Sequence, residues 1–374
     1  MARRFNLTTA ILICIFGLAG VAGFAQTAPS FSDLVEQAGS AREQNNVARA
    51  IELYSQALQV NPKWSQGWWF LGSLQYQTRA FAAARDSLTR FISIAPDPTL
   101  AFGLRGLSEL ETGEYPRALT DIQEGISLGG TDRPPNGETL RFTECLLLTR
   151  LGKFNQALKA YKLLIQRGGS NPELRVGLGL AGLRMALLPK EMQISQRELV
   201  VAAGDTIYEF ISHGETAGAQ AFANLFQKFP AAPNLHCLYG TLLYASDSDL
   251  AFSEFKRELE IAPGNARAQV LMSWALLMQN RALEALPYAK KAVEETPQAA
   301  GAQIVLGRSL IALGELKEGT DHLERALQLD PENLEVHIAL GEAYSRSGRR
   351  EDAQRERSTS LKLAQDGAYS FALP

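Results

Sequence analysis

The four histidines are the first residues to test for catalysis, because an imidazole can act as an acid, a base or a metal ligand near neutral pH. They are His213, His236, His322 and His337. No HExxH, CxxC or GxSxG pattern occurs, and Cys237 points to a different helix face from its neighbour His236. We therefore expect His236 and His337 to be partly buried packing residues, and we predict no catalytic residue and no metal site.

A second candidate is the string from Gly177 to Gly182, which matches the G-x-G-x-x-G spacing of a dinucleotide-binding turn. Such a turn follows a β-strand, and no strand pattern precedes Gly177. Glycines inside a predicted helix instead permit close contact with a neighbouring helix. We therefore predict a packing role here and no cofactor.

Acidic side chains and one histidine also gather in an irregular segment, residues 188–230. They are Glu191, Glu198, Asp205, Glu209 and His213. This composition is ordinary for the charged faces of helices, so we predict that the protein is not an enzyme. The alternative is that the protein is an enzyme whose active site lies in residues 188–230.

Small residues recur every 34 positions on either side of a disturbed middle, and this spacing predicts the helices that would position any site. These residues are Ala50, Ala84, Ala118, Ala251, Ala285, Gly319 and Ala353. Prolines stand twelve residues after several of them, at Pro62, Pro96, Pro263, Pro297 and Pro331. A period of 34 indicates stacked helix pairs, and such an array offers a long surface for binding rather than one central cleft.

The repeats resemble the tetratricopeptide repeat, whose pattern is W-x2-L-G-x2-Y, then A-x3-F, then P. The matching residues are Trp68-Trp69-Phe70-Leu71-Gly72, followed by Ala84, Phe91 and Pro96, and later Leu340-Gly341-x2-Tyr344. The resemblance implies an all-α superhelical solenoid of antiparallel helix pairs. Small residues on both helices of a pair let the backbones approach, and proline ends the second helix.

In this register the units begin near residues 31, 65, 99, 138, 172, 199, 233, 266, 300 and 334. No second helix appears on schedule after Leu188-Pro189-Lys190. We therefore expect an irregular seam near 188–194, where seven extended residues could span roughly 23–25 Å and carry the chain back along a helix. The predicted organisation is an N-terminal array over 26–187, a linker over 188–194, and a C-terminal array over 195–374 that ends in a capping helix.

In arrays that resemble this family, the second, fifth, ninth, twelfth and thirteenth residues of each first helix face a groove. On this sequence these positions would form an apolar, aromatic surface that binds a protein or peptide. They are Trp69, Tyr76, Leu107, Leu110, Phe142, Leu146, Tyr244, Val270, Trp274, Ile304 and Arg308. Trp68, beside Trp69, is expected to face the core. The alternative is that the groove residues only pack between repeats.

The family also has a basic clamp for a peptide C-terminal carboxylate, built from Lys and Asn at groove positions of successive repeats. The groove positions of this sequence lack that set. The resemblance therefore does not indicate a receptor for chaperone tails.

The first 25 residues have the regions of a secretory signal peptide. Two arginines precede the apolar run 7–24, and Gly23 and Ala25 stand three and one positions before a cut ahead of Gln26. We expect cleavage there and a periplasmic or secreted mature chain. The alternative is an uncleaved anchor over 7–25, because roughly 20 apolar residues can cross a bilayer. The chain would then be a membrane-anchored assembly platform of the cell envelope.

Charge and cysteine content bear on nucleic-acid binding and on disulfide formation. The formal net charge is −3, which gives no basic surface for nucleic acid. Cys145 and Cys237 are 92 residues apart, so several helix layers should separate them, whereas a disulfide needs Cα atoms within about 7 Å. We therefore expect two buried free thiols.

Overall fold

The computed structural model describes residues 29–130, 136–169 and 172–365. Within these ranges the chain forms nineteen α-helices and no β-strand, which confirms the all-α prediction. None of the described helices combines the length and the apolar character needed to cross a membrane. The predicted signal peptide, residues 1–25, lies outside the described residues.

The chain divides into two compact units, Met1–Leu71 and Gly72–Pro374. The first unit contains α1 (Phe31–Glu43), α2 (Val47–Val60) and the start of α3 (Ser65–Gln77). The second unit contains the rest of α3, then α4 (Phe81–Ile94), α5 (Thr99–Thr112), α6 (Tyr115–Ser127), α7 (Asn136–Arg150), α8 (Phe154–Gln166), α9 (Pro172–Gly182), α10 (Ile194–His213), α11 (Glu215–Lys228), α12 (Leu235–Leu243), α13 (Ser248–Ile261), α14 (Ala266–Met278), α15 (Ala282–Glu295), α16 (Ala300–Ala312), α17 (Leu316–Leu329), α18 (Leu334–Arg346) and α19 (Arg350–Gln365).

Small residues bring the two helices of a pair together, as the sequence predicted. A Cβ added at Gly106 would lie 3.1 Å from the carbonyl oxygen of Ala118, and one added at Gly307 would lie 2.8 Å from that of Gly319. Both glycines are the eighth residue of a first helix. The contact is looser in the last pair, where a Cβ at Gly341 would lie 3.4 Å from the nearest atom.

This packing predicts that Gly72→Leu destabilises the second unit by about 2 kcal/mol or more, because overpacking a close contact typically costs 1–3 kcal/mol. A Cβ at Gly72 would lie 2.9 Å from Cγ of Leu88, which is fully buried. The free energy of unfolding from urea denaturation measures the effect. Gly39→Leu is the control, since a Cβ at Gly39 meets nothing within 4 Å. Equal losses in the two variants would contradict the packing role of Gly72.

The first helices end in a common way, with a residue in the left-handed conformation. These residues are Asn45, Arg79, Gly113, Gly152, Asn280, Gly314 and Gly348. Each is the fifteenth residue of its predicted unit. A positive φ of this kind ends a helix by turning the chain away from its axis, which glycine and asparagine tolerate best. Two first helices differ: after α9 it is Arg184, the thirteenth residue of its unit, that has φ 55°, and the C-cap of α12, Tyr244, has φ −53°.

The linker after α9 is irregular, and it is attached to earlier helices. Pro189–Glu191 form a short 3-10 helix, so the segment is not fully extended. The Glu191 carboxylate accepts a hydrogen bond from the Tyr115 hydroxyl at 3.2 Å and pairs with Arg150 at 2.8 Å. These bonds hold the linker against α6 and α7. The following helix, α10, is 20 residues long and packs on both α9 and α11.

Candidate functional site

In the second unit, first helices contact one another in two series, one before α10 and α11 and one after them. Contacts join α5 to α7 and α7 to α9, and further along the chain α12 to α14, α14 to α16 and α16 to α18. We call the surface formed by α5, α7, α9, α12, α14, α16 and α18 the first-helix face. The predicted groove positions of this unit lie on these helices and on α3, except Tyr244, which follows the last residue of α12.

Several predicted groove residues of the second unit are half-buried. They are Tyr76, Leu107, Leu110, Phe142, Leu146 and Tyr244. The ring of Tyr244 lies 6.5 Å from that of the buried Phe255, and the ring of Tyr76 lies 5.5 Å from that of Phe81. Each side chain thus has one side against neighbouring residues and keeps some exposed surface. In the first unit, Trp69 is also half-buried.

Three other predicted groove residues are buried. Val270, Trp274 and Ile304 are 5%, 8% and 0% exposed. They lie on α14 and α16, and contacts among α14, α16 and α18 cover them. The Arg308 guanidinium lies 5.2 Å from the Trp274 ring and pairs with Glu335. The expectation that Val270, Trp274 and Ile304 face solvent is therefore wrong. The position of a residue within its own helix does not show how closely the next helix packs against it.

Trp68 is half-buried, so the expectation that it faces the core is wrong, and its indole forms a hydrogen bond near the start of α3. The same bond recurs between the fourth residue of a first helix and a proline carbonyl six residues earlier. The pairs are Trp68 Nε1 to Pro62 at 2.9 Å, Gln269 Nε2 to Pro263 at 2.8 Å, Gln303 Nε2 to Pro297 at 2.8 Å, and His337 Nε2 to Pro331 at 2.9 Å. The phased prolines therefore accept a hydrogen bond from the next helix, in addition to the predicted role of ending the preceding one.

The histidines of the first helices have the predicted packing role. His236 is partly buried, forms a hydrogen bond with Glu254 at 2.6 Å, and stacks on Phe226 with ring centroids 4.1 Å apart. His337 is buried and bonds to Glu356 at 2.7 Å. Both partner carboxylates come from the second helix of the same pair. These bonds therefore fix the packing of a helix pair.

The structure does not bring the acidic residues of 188–230 to one centre. Their partners are Arg150 for Glu191, Lys228 for Glu198, Arg175 for Asp205, and His213 for Glu209. A cleft of about 440 Å³ lies beside α10 and α11, and its lining includes Ile194, Val201 and the pair of Glu198 with Lys228. These four carboxylates thus act in separate side-chain pairs.

The glycines of α9 have steric reasons for their positions. A Cβ at Gly177 would overlap the Tyr161 hydroxyl, and one at Gly179 would overlap the backbone carbonyl of Val200. A Cβ at Gly182 would overlap the side chain of Ile207. The predicted packing role of the G-x-G-x-x-G string is therefore confirmed.

The two cysteines of the described region are buried free thiols, as predicted. Burial raises the pKa of the Cys237 thiol to about 12. A thiol that stays protonated at neutral pH is a poor nucleophile and a poor metal ligand. Across the described ranges, no cluster of three or more His, Cys, Asp or Glu residues could hold a metal ion.

Two arginines at groove positions were missed by the sequence analysis. Arg184 is the thirteenth residue of its unit and donates to the Asn155 amide oxygen at 3.0 Å. Arg267 is the second residue of its unit, and its Nη2 donates to the Thr241 hydroxyl at 3.2 Å. The Nε and Nη1 atoms of Arg267 are buried and have no hydrogen-bond partner among the described residues. The register that places Arg308 in the predicted groove places both of these arginines there as well.

The families that match this chain agree with its repeat pattern. Two family models described as tetratricopeptide repeat match the chain, one over residues 35–101 and 241–300 and the other over 314–373. Protein FlbA of Caulobacter vibrioides (strain ATCC 19089 / CIP 103742 / CB 15) is 27% identical over 121 residues, which is 32% of this chain. The matched region spans 20% of that protein's length.

Similar solved structures include MamA 41-end from Desulfovibrio magneticus RS-1, which is 19% identical with a TM-score of 0.39. That match covers 45% of this chain and 96% of the other. The APC/C hetero-tetramer Cut9-Hcn1 is 16% identical with a TM-score of 0.40, over 90% of this chain and 67% of the other.

Proposed function

Because the chain carries tetratricopeptide repeats, we propose that it is a scaffold that binds a protein or peptide partner through its first-helix face. The observation that supports this most is the recurrence of half-buried aromatic residues, Tyr76, Phe142 and Tyr244, at groove positions of three separate first helices. Aromatic side chains that are held on one side and exposed on the other supply large contact area at low entropic cost.

We expect Tyr244→Ala to weaken partner binding by about 2 kcal/mol, because aromatic anchors often supply much of an interface's energy. The partner would be isolated by affinity capture from the source cell, and its dissociation constant measured by calorimetry. Tyr288→Ala is the matched control, since Tyr288 is also half-buried but lies on a second helix, α15. Equal binding by the parent and Tyr244→Ala, or equal weakening by both variants, would refute the assignment of the face.

We also propose that the protein is exported and that its mature chain begins at Gln26. The basic, apolar and small-residue regions before Gln26 occur in the order that a signal peptidase requires. Sequencing the N-terminus of the native protein tests this. Retention of residues 1–25 would reject cleavage and favour the membrane-anchored assembly platform.

A further inference from the structure

The second helix α8 and the residues beside it concentrate positive charge. Residues 145–172 contain five arginines and lysines and no aspartate or glutamate, although the whole chain has a formal net charge of −3. Four of these cations are exposed and lie in α8 or at its two caps: Lys153, Lys159, Lys162 and Arg167. A chain that is acidic as a whole therefore has a basic surface at α8.

These charges do not stabilise α8 itself. Lys153 lies at the N-cap, where the positive end of the helix dipole disfavours a cation. Lys159 and Lys162 are three residues apart and repel each other, and no acidic residue stands three or four positions from either of them. Among the described residues, no ion pair involves Lys153, Lys162 or Arg167. A set of charges that disfavours its own helix indicates a role in binding.

An exposed leucine lies among these cations. Leu163 is 49% exposed. Lys159 and Arg167 stand four residues before and after it, so both lie about one helical turn away on the same face. The opposite face of α8 is buried and consists of Ala157, Tyr161, Leu164 and Ile165. We call the outer surface the α8 basic face, which is formed by Lys153, Lys159, Lys162, Leu163 and Arg167.

We propose that the α8 basic face docks on a bilayer surface that contains anionic phospholipids. Each lysine or arginine near such a surface strengthens binding about five-fold, and the lipid phosphates would supply the negative charge that residues 145–172 lack. Leu163 would enter the boundary between headgroups and acyl chains, which removes an apolar side chain from water. A lipid surface thus accounts for the cations and for the exposed leucine together. Because α8 is a second helix, this proposal does not depend on the first-helix face.

The test uses the full chain with an environment-sensitive fluorophore, nitrobenzoxadiazole, attached at Leu163→Cys. The native thiols of Cys145 and Cys237 are buried, so they react slowly with the label. Vesicles of phosphatidylcholine alone are compared with vesicles of equal parts phosphatidylcholine and phosphatidylglycerol. We expect the emission to shift to shorter wavelength with the anionic vesicles only, and high salt to reverse the shift. Because the fluorophore reports only on α8, attachment of the chain to vesicles through another segment does not produce this signal.

The control for the label is the same fluorophore at Leu283→Cys, which is exposed on α15 and should respond to neither vesicle. In the labelled chain, replacing Lys159 and Lys162 together by glutamine should raise the lipid concentration at half-maximal shift by about 20-fold or more. Lys290→Gln combined with Lys291→Gln removes two exposed lysines from α15 and should leave this concentration unchanged. Circular dichroism establishes that each variant is folded.

Three results would overturn the proposal. The first is a shift of equal size with both kinds of vesicle, or with neither. The second is an equal lipid requirement in the parent and in the chain that lacks Lys159 and Lys162. The third is a shift caused by a soluble tetraglutamate peptide and not by anionic vesicles, which would assign the face to an acidic protein segment instead. The vesicles require no protein partner, so their result is independent of the Tyr244 experiment.

Discussion

Replacing Gly179 by alanine should lower the free energy of unfolding by about 3 kcal/mol or more, although it adds a single methyl group. That methyl group would overlap the carbonyl oxygen of Val200 and lie 3.1 Å from the backbone nitrogen of Gly204. These are backbone atoms of α10, so they cannot move away as a flexible side chain would. The substitution must instead separate α9 from α10, which disturbs the fully buried residues around them. Urea denaturation followed by circular dichroism measures the loss.

The matched control for this prediction is Gly341→Ala, at the corresponding eighth position of α18. Its added Cβ would lie 3.4 Å from Cγ of Arg357, an ordinary contact with a flexible side chain. Alanine also favours the helix over glycine by roughly 0.5–1 kcal/mol, so this variant should be unchanged or slightly more stable. Equal destabilisation by the two substitutions would show that the close contact between α9 and α10 is not the cause.

Glu109→Gln should raise the stability of the second unit at pH 8 by about 2–3 kcal/mol. Glu109 is 4% exposed, and its Oε2 has no hydrogen-bond partner among the described residues. Burial and the negative charge of Asp121 raise the pKa of Glu109 to about 7. The unfolded chain loses this proton near its ordinary value of about 4.5, so the folded state holds an extra proton between these two pH values. Stability therefore falls as the pH rises through this window.

Urea denaturation of the parent and Glu109→Gln at pH 5 and pH 8 measures the difference. The glutamine variant should gain most at pH 8, because only there does the parent carry the buried charge. Glu124→Gln, at an exposed position of α6, is the control. It should change the free energy of unfolding by the same amount at pH 5 and at pH 8. Parallel pH profiles for the parent and Glu109→Gln would contradict the raised pKa.

Most of the helix arrangement could be predicted because its signals are local. First helices begin at the predicted residues 31, 65, 99, 266, 300 and 334. Small residues and prolines fix these boundaries through packing and backbone geometry, which depend on few neighbours. The seam was harder to predict, since the linker's attachment to Tyr115 and Arg150 joins residues far apart in sequence.

The candidate site was less predictable, because exposure depends on neighbouring helices. The register places Trp274 and Tyr244 at groove positions alike, yet Trp274 is buried and Tyr244 is half-buried. The difference arises from how closely α14, α16 and α18 pack, which no single repeat encodes. Arg184 and Arg267 were identifiable by position, but their hydrogen bonds to Asn155 and Thr241 are visible only from the contacts.

We propose that the partner binds the first helices rather than the second helices. Site-specific crosslinking tests it, with benzoylphenylalanine placed in turn at Phe142, Tyr244, Leu163 and Leu283. The last two are 49% and 74% exposed and lie on second helices, α8 and α15, so they serve as accessible controls. We expect one and the same partner to be crosslinked from Phe142 and Tyr244 and not from Leu163 or Leu283. Crosslinking of that partner from the second-helix positions, with none from Phe142 or Tyr244, would contradict it.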